Sequence, residues 1–219
     1  MKKYFATIII ALACFNTIHA FPADSINTIY QDGEFKTKYV IKVKASENDV
    51  CEVANKLIYD FHNKPGDLFN WALKDLGLQD KKKNDIVFIL KTSSTDTKTG
   101  ITHGTFDIIV PLITSFNNVV VDAIVSKSPC NSKEMKVSAN IIYSSLLLKH
   151  GLATMTIVPL KNNEQLFVTN VSIKFGWFFN IFITKKRYNS IVAWRIKKFT
   201  ENMKNECEQR QVKSTTKTD

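Results

Sequence analysis

The sequence predicts an α+β fold: a curved antiparallel β-sheet wrapped around one long C-terminal helix, with two short helices after the first strand. Three observations predict it. Apolar and polar residues alternate through most of residues 86–175, which is typical of strands with one covered face. Short polar turns join the later strands, so neighbouring strands are expected to pair antiparallel. Residues 184–208 then carry apolar side chains at helical spacing over about 35 Å, enough to cross a sheet.

The first twenty residues have the composition of a secretory signal peptide and are expected to lie outside the fold. Two lysines precede an apolar stretch over residues 4–15, and Ala20 places a small residue at the end of the segment. The stretch is too short, and its flanks are wrong, for a stable transmembrane helix. We therefore expect removal of residues 1–20 and export to the periplasm or out of the cell. Lipid attachment at Cys14 is an alternative that the misplaced Leu12 disfavours.

The chain is basic, and its charge limits the choice of partner. Its 219 residues carry a net charge of +10 at pH 7, which falls to +8 when Lys2 and Lys3 leave with the signal peptide. We divide the rest into a lead-in segment (21–36), a single domain (37–208) and a polar, disordered tail (209–219). Export argues against nucleic acid as a partner. Contact with an anionic membrane surface, or solubility alone, accounts for the lysines.

Three cysteines remain after the signal peptide: Cys51, Cys130 and Cys207. An exported protein can form disulfides, but the odd number leaves at least one thiol unpaired or intermolecular. No two of them have Cys-x-x-Cys spacing and no histidine is close in sequence, so we expect no metal site. A disulfide between Cys51 and Cys207 is the long-range pairing of most geometrical interest. A structural role for Cys51 is favoured over a reactive thiol because acidic residues flank it.

The domain is predicted to begin with a strand and two helices. Alternate residues of 38–45 are apolar, which indicates a strand with one buried face. Ser46 then stands as a helix N-cap, with Asp49 as the capping acid. Apolar residues at i, i+3 and i+4 predict a helix over residues 47–61. A Pro-Gly turn ends this helix, and residues 68–77 repeat the helical pattern.

Six further strands and a closing helix complete the predicted domain. The strands are expected within residues 85–95, 102–112, 117–128, 136–143, 153–160 and 167–175. A sheet with one apolar face needs a cover. The C-terminal helix provides it through five apolar side chains at helical spacing, Tyr188, Val192, Ile196, Phe199 and Met203.

The last strand, an aromatic junction and the closing helix form the stretch VSIKFGWFFNIFITKKRYNSIVAWRIKKFTENMKNEC, residues 171–207. Together with the order of elements over residues 38–208, this stretch resembles the START-like or helix-grip superfamily, which includes polyketide cyclase-like and lipid-transfer proteins. The resemblance implies a cavity between the sheet and the long helix that binds a lipid, a sterol or another apolar molecule. Two departures are the long lead-in segment and the bulky side chains at inward positions, which could fill such a cavity.

The expected ligand-binding residues are inward side chains of the sheet, the junction and the closing helix. They are Phe106, Ile108, Val121, Ile141, Ile173, Trp177, Tyr188 and Val192. The junction, residues 176–182, is too short to span a membrane. Two interpretations of its aromatic side chains stay open at this point. They either seal one end of the sheet–helix interface as core or line the cavity.

No catalytic motif accompanies this pattern. The sequence has no glycine-rich phosphate loop, no Gly-x-Ser-x-Gly and no His-Glu-x-x-His. His62, His103 and His150 are far apart, and a cyclase or hydrolase on the same fold could use only His103 or Tyr143 deep in the cavity. We therefore predict a non-enzymatic protein that binds a hydrophobic or amphipathic small molecule, without cofactor or metal. A structural or interaction module of the cell envelope, with no small ligand, is the third hypothesis.

Overall fold

The computed structural model describes residues 24–67, 87–110, 114–131 and 133–215, with side chains up to residue 210. In this part of the chain, eight strands form one antiparallel sheet in the order β1-β2-β8-β7-β6-β5-β4-β3. The strands are β1 (Ser25–Gln31), β2 (Glu34–Lys44), β3 (Val87–Thr95), β4 (Ile101–Val110), β5 (Thr114–Lys127), β6 (Met135–Ser144), β7 (Leu148–Pro159) and β8 (Glu164–Phe175). The predicted signal peptide and the predicted helix over residues 68–77 lie outside the described residues.

The sheet starts earlier than the sequence indicated. The lead-in segment predicted for residues 21–36 contains β1, which pairs with β2 along its whole length. Asp32 and Gly33 form the two-residue turn, both with positive φ (54° and 77°), as a tight hairpin of Asp-Gly requires. The prediction that this segment only leads into a domain starting at residue 37 was wrong, because it belongs to the sheet. The inward residues of β1 are Ile26, Thr28 and Tyr30. The outward Ile29 interrupts the apolar–polar alternation that would have indicated a strand.

The first helix confirms the predicted cap. Helix α1 (Glu47–Asn63) begins after Ser46, whose Oγ accepts a hydrogen bond from the Asp49 backbone N–H at 3.1 Å. The same hydroxyl donates to Asp49 Oδ2 at 2.6 Å, so two hydrogen bonds join Ser46 and Asp49.

A helical run closes the sheet, as predicted, but its ends differ from the prediction. After α2 (Trp177–Phe182), the C-terminal helix consists of α3 (Lys185–Tyr188), a π-helical turn (Asn189–Ala193) and α4 (Trp194–Thr215). We call residues 185–215 the C-terminal helix. The expectation of a disordered tail from residue 209 was wrong for residues 209–215, because adding turns to an existing helix is cheap once its first turns are packed.

The core divides into two clusters at opposite ends of the sheet–helix interface. The α1 cluster joins α1, the sheet and α4, and its largest buried members are Tyr39, Ile41, Met135, Met155, Ile157, Phe167 and Met203. The α2 cluster joins α2, the sheet and the start of the C-terminal helix, and its largest members are Phe35, Ile108, Phe175, Phe179, Ile183, Tyr188 and Ile191. This separation leaves the middle of the inner face of the sheet between two packed ends.

The disulfide pairs Cys51 with Cys130. The pairing with Cys207, which the sequence left open, is not formed. Cys51 lies near the start of α1, which faces the β5–β6 turn that carries Cys130. Cys207 is free and fully buried in the α1 cluster on the sheet-facing side of α4, where no cysteine adjoins it. The structural role predicted for Cys51 is therefore confirmed with a different partner.

In the described part of the chain, no helix combines the length and apolar character needed to cross a bilayer.

Candidate ligand-binding groove

A strip of small side chains runs across the middle of the inner face of the sheet. In the strand register Val125 faces Ala139 and Ala139 faces Ala153, while Ala123 faces Ile141 in the next row. Cross-strand partners lie on the same face of a sheet, and this face also carries the buried Thr102, which is the partner of Ala123. Although they point inward, the three alanines and Val125 are only partly buried. The two core clusters therefore do not cover the strip.

Two glycines allow large side chains to lie flat against this strip. A Cβ at Gly104 would come within 2.8 Å of the Phe106 ring, and a Cβ at Gly151 within 2.8 Å of Ile141 Cγ1. Both side chains therefore occupy space next to the backbone that any other residue would fill. This arrangement keeps these two bulky side chains close to the sheet.

The position of the C-terminal helix explains why the strip is uncovered. Its α4 segment packs mainly on β2, β8 and α1, while α1 contacts β5 and β3. The helix side contributes three partly buried apolar side chains, Val192, Ile196 and Phe199, spaced four and three residues apart. We define the apolar groove by these three and by the inward residues of the sheet, Phe106, Val121, Ala123, Val125, Ala139, Ile141, Ala153 and Ile173. Phe106, Ile173 and Val192 also pack against the α2 cluster, and Phe199 packs against the α1 cluster, so the two clusters border the groove.

The structure brings together most of the predicted ligand-binding residues, but not all of them. Phe106, Val121, Ile141 and Ile173 share the inner face, and Val192 lies on the helix beside it. The three others are Ile108 and Tyr188, which are fully buried in the α2 cluster, and Trp177, which is 69% exposed. Trp177 therefore does not line the groove, and the prediction that it binds the ligand there was wrong. The junction seals one end of the interface through Phe179, which is 1% exposed.

Tyr188 acts as a structural element of the sealed end. Its ring stacks on Phe35 with centroids 4.1 Å apart and planes 4° from parallel. Its hydroxyl lies 3.0 Å from Thr37 Oγ1, which in turn lies 3.1 Å from Thr28 Oγ1. Burial raises the pKa of Tyr188 to about 12, so the side chain stays neutral. A neutral, stacked and hydrogen-bonded tyrosine holds the helix on β2.

The polar groups next to the groove are mostly paired with each other. Thr169 and Thr200 join β8 to α4 at 3.0 Å, and Thr95 and Thr102 are 2.8 Å apart across β3 and β4. Because these hydroxyls satisfy one another, the groove keeps an apolar character.

One charged group reaches over the groove from the helix. The Arg195 guanidinium lies 5.1 Å from the centre of the Phe88 ring on the inner face of β3. This contact spans from the C-terminal helix to the far edge of the sheet. The sequence alone does not indicate this contact, because it depends on how the sheet curves.

The residues that a catalytic role would need lie on the opposite face. His103 Nδ1 is 2.8 Å from Asp122 Oδ1, and Tyr143 is the next cross-strand neighbour of Asp122. All three belong to the outer face, since His103 alternates with the inward Thr102. His103 and Tyr143 therefore point away from the groove. In the ranges that the structure describes, no three histidine, cysteine or acidic side chains group as metal ligands would.

Two other depressions have a different character. A cleft of about 330 Å³ lies between α1 and α4, and its rim carries charged groups that include the ion pair Lys56–Asp60. A depression of about 370 Å³ lies on the outer face over β1, β2, β8 and β7, and Lys36 and Lys38 line part of it. Both are open and partly charged at the surface, so neither matches an apolar ligand as well as the groove does.

Comparison with known proteins supports no assignment beyond the fold. No protein-family model and no curated protein matches the sequence. Among solved structures, a START superfamily protein from Mycobacterium smegmatis is similar at 10% identity, covering 80% of this chain and 97% of that one, with a TM-score of 0.42. The Zhui aromatase/cyclase from Streptomyces sp. R1128 is similar at 10% identity over 81% and 95%, with a TM-score of 0.46. Truncated norcoclaurine synthase from Thalictrum flavum is similar at 11% identity over 82% and 94%, with a TM-score of 0.39.

The fold itself has the helix-grip architecture. An antiparallel sheet grips a C-terminal helix, and α1 follows the strand that pairs with the last strand of the sheet. This agrees with the architecture predicted from the sequence.

Proposed function

We propose that the protein is an exported, non-enzymatic binding protein for a hydrophobic or amphipathic small molecule of lipid-like character. The observation that carries the proposal is the apolar groove, whose inward alanines at positions 123, 139 and 153 lie between two packed clusters and are only partly buried. Burial of apolar ligand surface against this strip would supply the driving force, at roughly 25 cal/mol per Å².

Arg195 is the group we propose to orient such a ligand. It lies at the β3 edge of the groove, where a guanidinium favours a carboxylate or phosphate head group while the chain follows the alanine strip. The ligand class that fits best is therefore a single-chain amphiphile with an anionic head.

Export and peripheral contact with anionic membranes complete the proposal. The signal-peptide composition of residues 1–20 and the Cys51–Cys130 disulfide support an oxidising compartment outside the cytoplasm. The net positive charge supports contact with anionic head groups, where a lipid-like ligand would be collected or delivered. We propose no enzymatic role, since the two candidate residues for one lie on the outer face.

Filling the groove tests the proposal. Ala139→Trp places a large ring on the inner strip, and we expect affinity for a fluorescent fatty acid to fall at least about tenfold. Asn140→Trp is the matched control, because the neighbouring residue lies on the outer face of the same strand. We expect its affinity to stay within about twofold. Equal affinities of the two folded variants would contradict the proposal, and Ala153→Phe repeats the test if Ala139→Trp does not fold.

The head-group assignment has its own test. Arg195→Gln is expected to weaken binding of dodecanoate about tenfold or more, because a charged hydrogen bond is lost. Binding of dodecanol, which has no charge, should stay nearly unchanged. An equal loss for both ligands would show that Arg195 only supports packing.

A further inference from the structure

Helix α2 presents an unusual apolar face to solvent. Trp177 and Ile181, one turn apart on the same side, are 69% and 65% exposed. The opposite side carries Phe179, which is buried in the α2 cluster. Leu146, in the β6–β7 loop beside the start of α2, adds a third partly exposed apolar side chain. We call Trp177, Ile181 and Leu146 the α2 patch.

Packing underneath prevents α2 from rotating to hide this patch. The Phe116 ring lies 5.2 Å from Phe178 and 5.0 Å from Phe179, so α2 is fixed to β5. Gly176 fixes its start, because its N–H donates to Leu147 O at 3.0 Å and a Cβ there would collide with Leu146 O. The α2 patch is therefore held outward by a rigid support.

The chain that follows α2 directly is basic. Lys185, Lys186 and Arg187 come within five residues of its end, and no acidic residue occurs between Glu164 and Glu201 in the sequence. Lys185 and Lys186 are exposed directly after α2. Arg187 Nη1 donates to Phe182 O at 3.3 Å, so one of these cations is attached to the end of α2.

Size and charge together select the partner of this surface. Three side chains provide far less than the roughly 800 Å² per partner that a stable protein interface needs. A tryptophan with an aliphatic neighbour suits the boundary between head groups and acyl chains, and adjacent lysines suit anionic head groups. A lipid surface therefore fits where a protein partner does not.

We propose that the α2 patch, with Lys185 and Lys186, docks the protein on an anionic lipid bilayer. This inference rests on the membrane contact included in the proposed function and does not depend on the apolar groove. Trp177 and Ile181 insert at the head-group level, and the two lysines contact the surrounding anionic lipids.

Vesicle co-sedimentation tests the docking surface. The mature chain, residues 21–219, and its variants are mixed with phosphatidylcholine vesicles, with and without about 30 mol % phosphatidylglycerol. We expect binding to the anionic vesicles only, and a loss of binding as salt is raised. Trp177→Ala with Ile181→Ser should weaken binding at least about tenfold. Lys185→Gln with Lys186→Gln should weaken it about thirtyfold, since each lysine contributes about fivefold.

Matched controls come from exposed residues elsewhere. Tyr59→Ala removes an exposed aromatic side chain on α1, and Lys98→Gln with Lys161→Gln removes two exposed lysines from turns. Both controls should bind as the parent does. All variants begin at residue 21, because the apolar segment of residues 1–20 would itself bind vesicles.

Several results would overturn the inference. These are no binding to anionic vesicles, equal binding to neutral vesicles, or parental binding by the Trp177 and Ile181 double variant. Self-association that disappears in that variant would make the patch a contact between copies and would also overturn it. Failure of the groove is separable, because Ala139→Trp should lose the fatty acid in solution yet still bind anionic vesicles.

Discussion

The Tyr188 hydroxyl shows how single contacts stabilise the sealed end of the interface. It lies in the α2 cluster with Thr37 as its hydrogen-bond partner, and Thr37 keeps Thr28 as a second partner. Replacement by phenylalanine therefore leaves Thr37 satisfied, whereas replacement by alanine removes the stacked ring as well.

We expect Tyr188→Phe to lower the free energy of unfolding by about 1 kcal/mol and Tyr188→Ala by about 3–5 kcal/mol. Urea denaturation measures both. A loss in Tyr188→Phe as large as that in Tyr188→Ala would contradict the stacking account and assign the stabilisation to the hydroxyl.

The buried thiol of Cys207 predicts that the stability of the folded state depends on pH. Burial, and then Asp49, Glu206 and Glu208, raise the pKa of its thiol from 9.0 to about 12. The folded state therefore holds the proton more tightly than the unfolded chain does. The stabilisation is complete below about pH 9 and is lost as the pH rises towards about 12.

Between these two pH values, we expect the free energy of unfolding to fall more for the parent protein than for Cys207→Ala. Urea denaturation measures both. The thiol should also resist Ellman's reagent at about pH 8 until the protein unfolds. Rapid labelling of Cys207 in the folded protein would show that the thiol is accessible, contrary to its burial.

Two elements depend on connections that are distant in sequence. The Cys51–Cys130 disulfide attaches the start of α1 to the β5–β6 turn across 79 residues. Gly176 attaches α2 to the β6–β7 loop through a contact that admits no side chain. The first connection lies on the side of the α1 cluster, and the second on the side of the α2 cluster.

Removal of the disulfide should be costly because the loop it closes is long. We expect Cys51→Ala with Cys130→Ala to lower the free energy of unfolding by up to about 4.5 kcal/mol. Cys207→Ala is the control for loss of a cysteine outside the bridge. Equal stability of the double variant and the parent would show that the bridge does not constrain the unfolded chain.

Gly176→Ala should displace the β6–β7 loop, since the new Cβ meets a backbone oxygen rather than a flexible side chain. We expect a loss of about 1–3 kcal/mol in the free energy of unfolding. Gly100→Ala provides a comparison in which the added Cβ meets no atom within 4 Å, although its φ of 69° adds backbone strain. A smaller loss in Gly176→Ala than in Gly100→Ala would contradict the close contact.

For the whole molecule, the sequence predicted the architecture because the spacing of apolar residues and the order of strands and helices can be seen in the sequence itself. Alternating residues such as Val137, Ala139 and Ile141 identify an inner face, and helical spacing identifies the cover. The alanines on the inner face are the feature of the sequence that indicates a groove, since small residues on a covered face leave space. They lie within the predicted strands, but the predicted ligand-binding residues did not include them.

What the sequence could not supply depends on curvature and on contacts between distant segments. The pairing of Cys51 with Cys130 requires the β5–β6 turn to meet α1, which no spacing encodes. Trp177 and Phe179 look alike in sequence, yet one is exposed and the other buried, because Phe116 covers only one side of α2. The reach of Arg195 to Phe88 likewise exists only once the sheet has curved.

Alanine-methyl NMR tests the central claim most directly, namely that the groove between sheet and C-terminal helix binds a lipid-like molecule. Six alanines in the described part of the chain report on two environments: 123, 139 and 153 on the groove floor, and 45, 54 and 193 in the packed clusters. On titration with dodecanoate, we predict saturable shifts of the three groove methyls and little change in the other three. Unchanged groove methyls, or equal shifts at all six, would contradict the account.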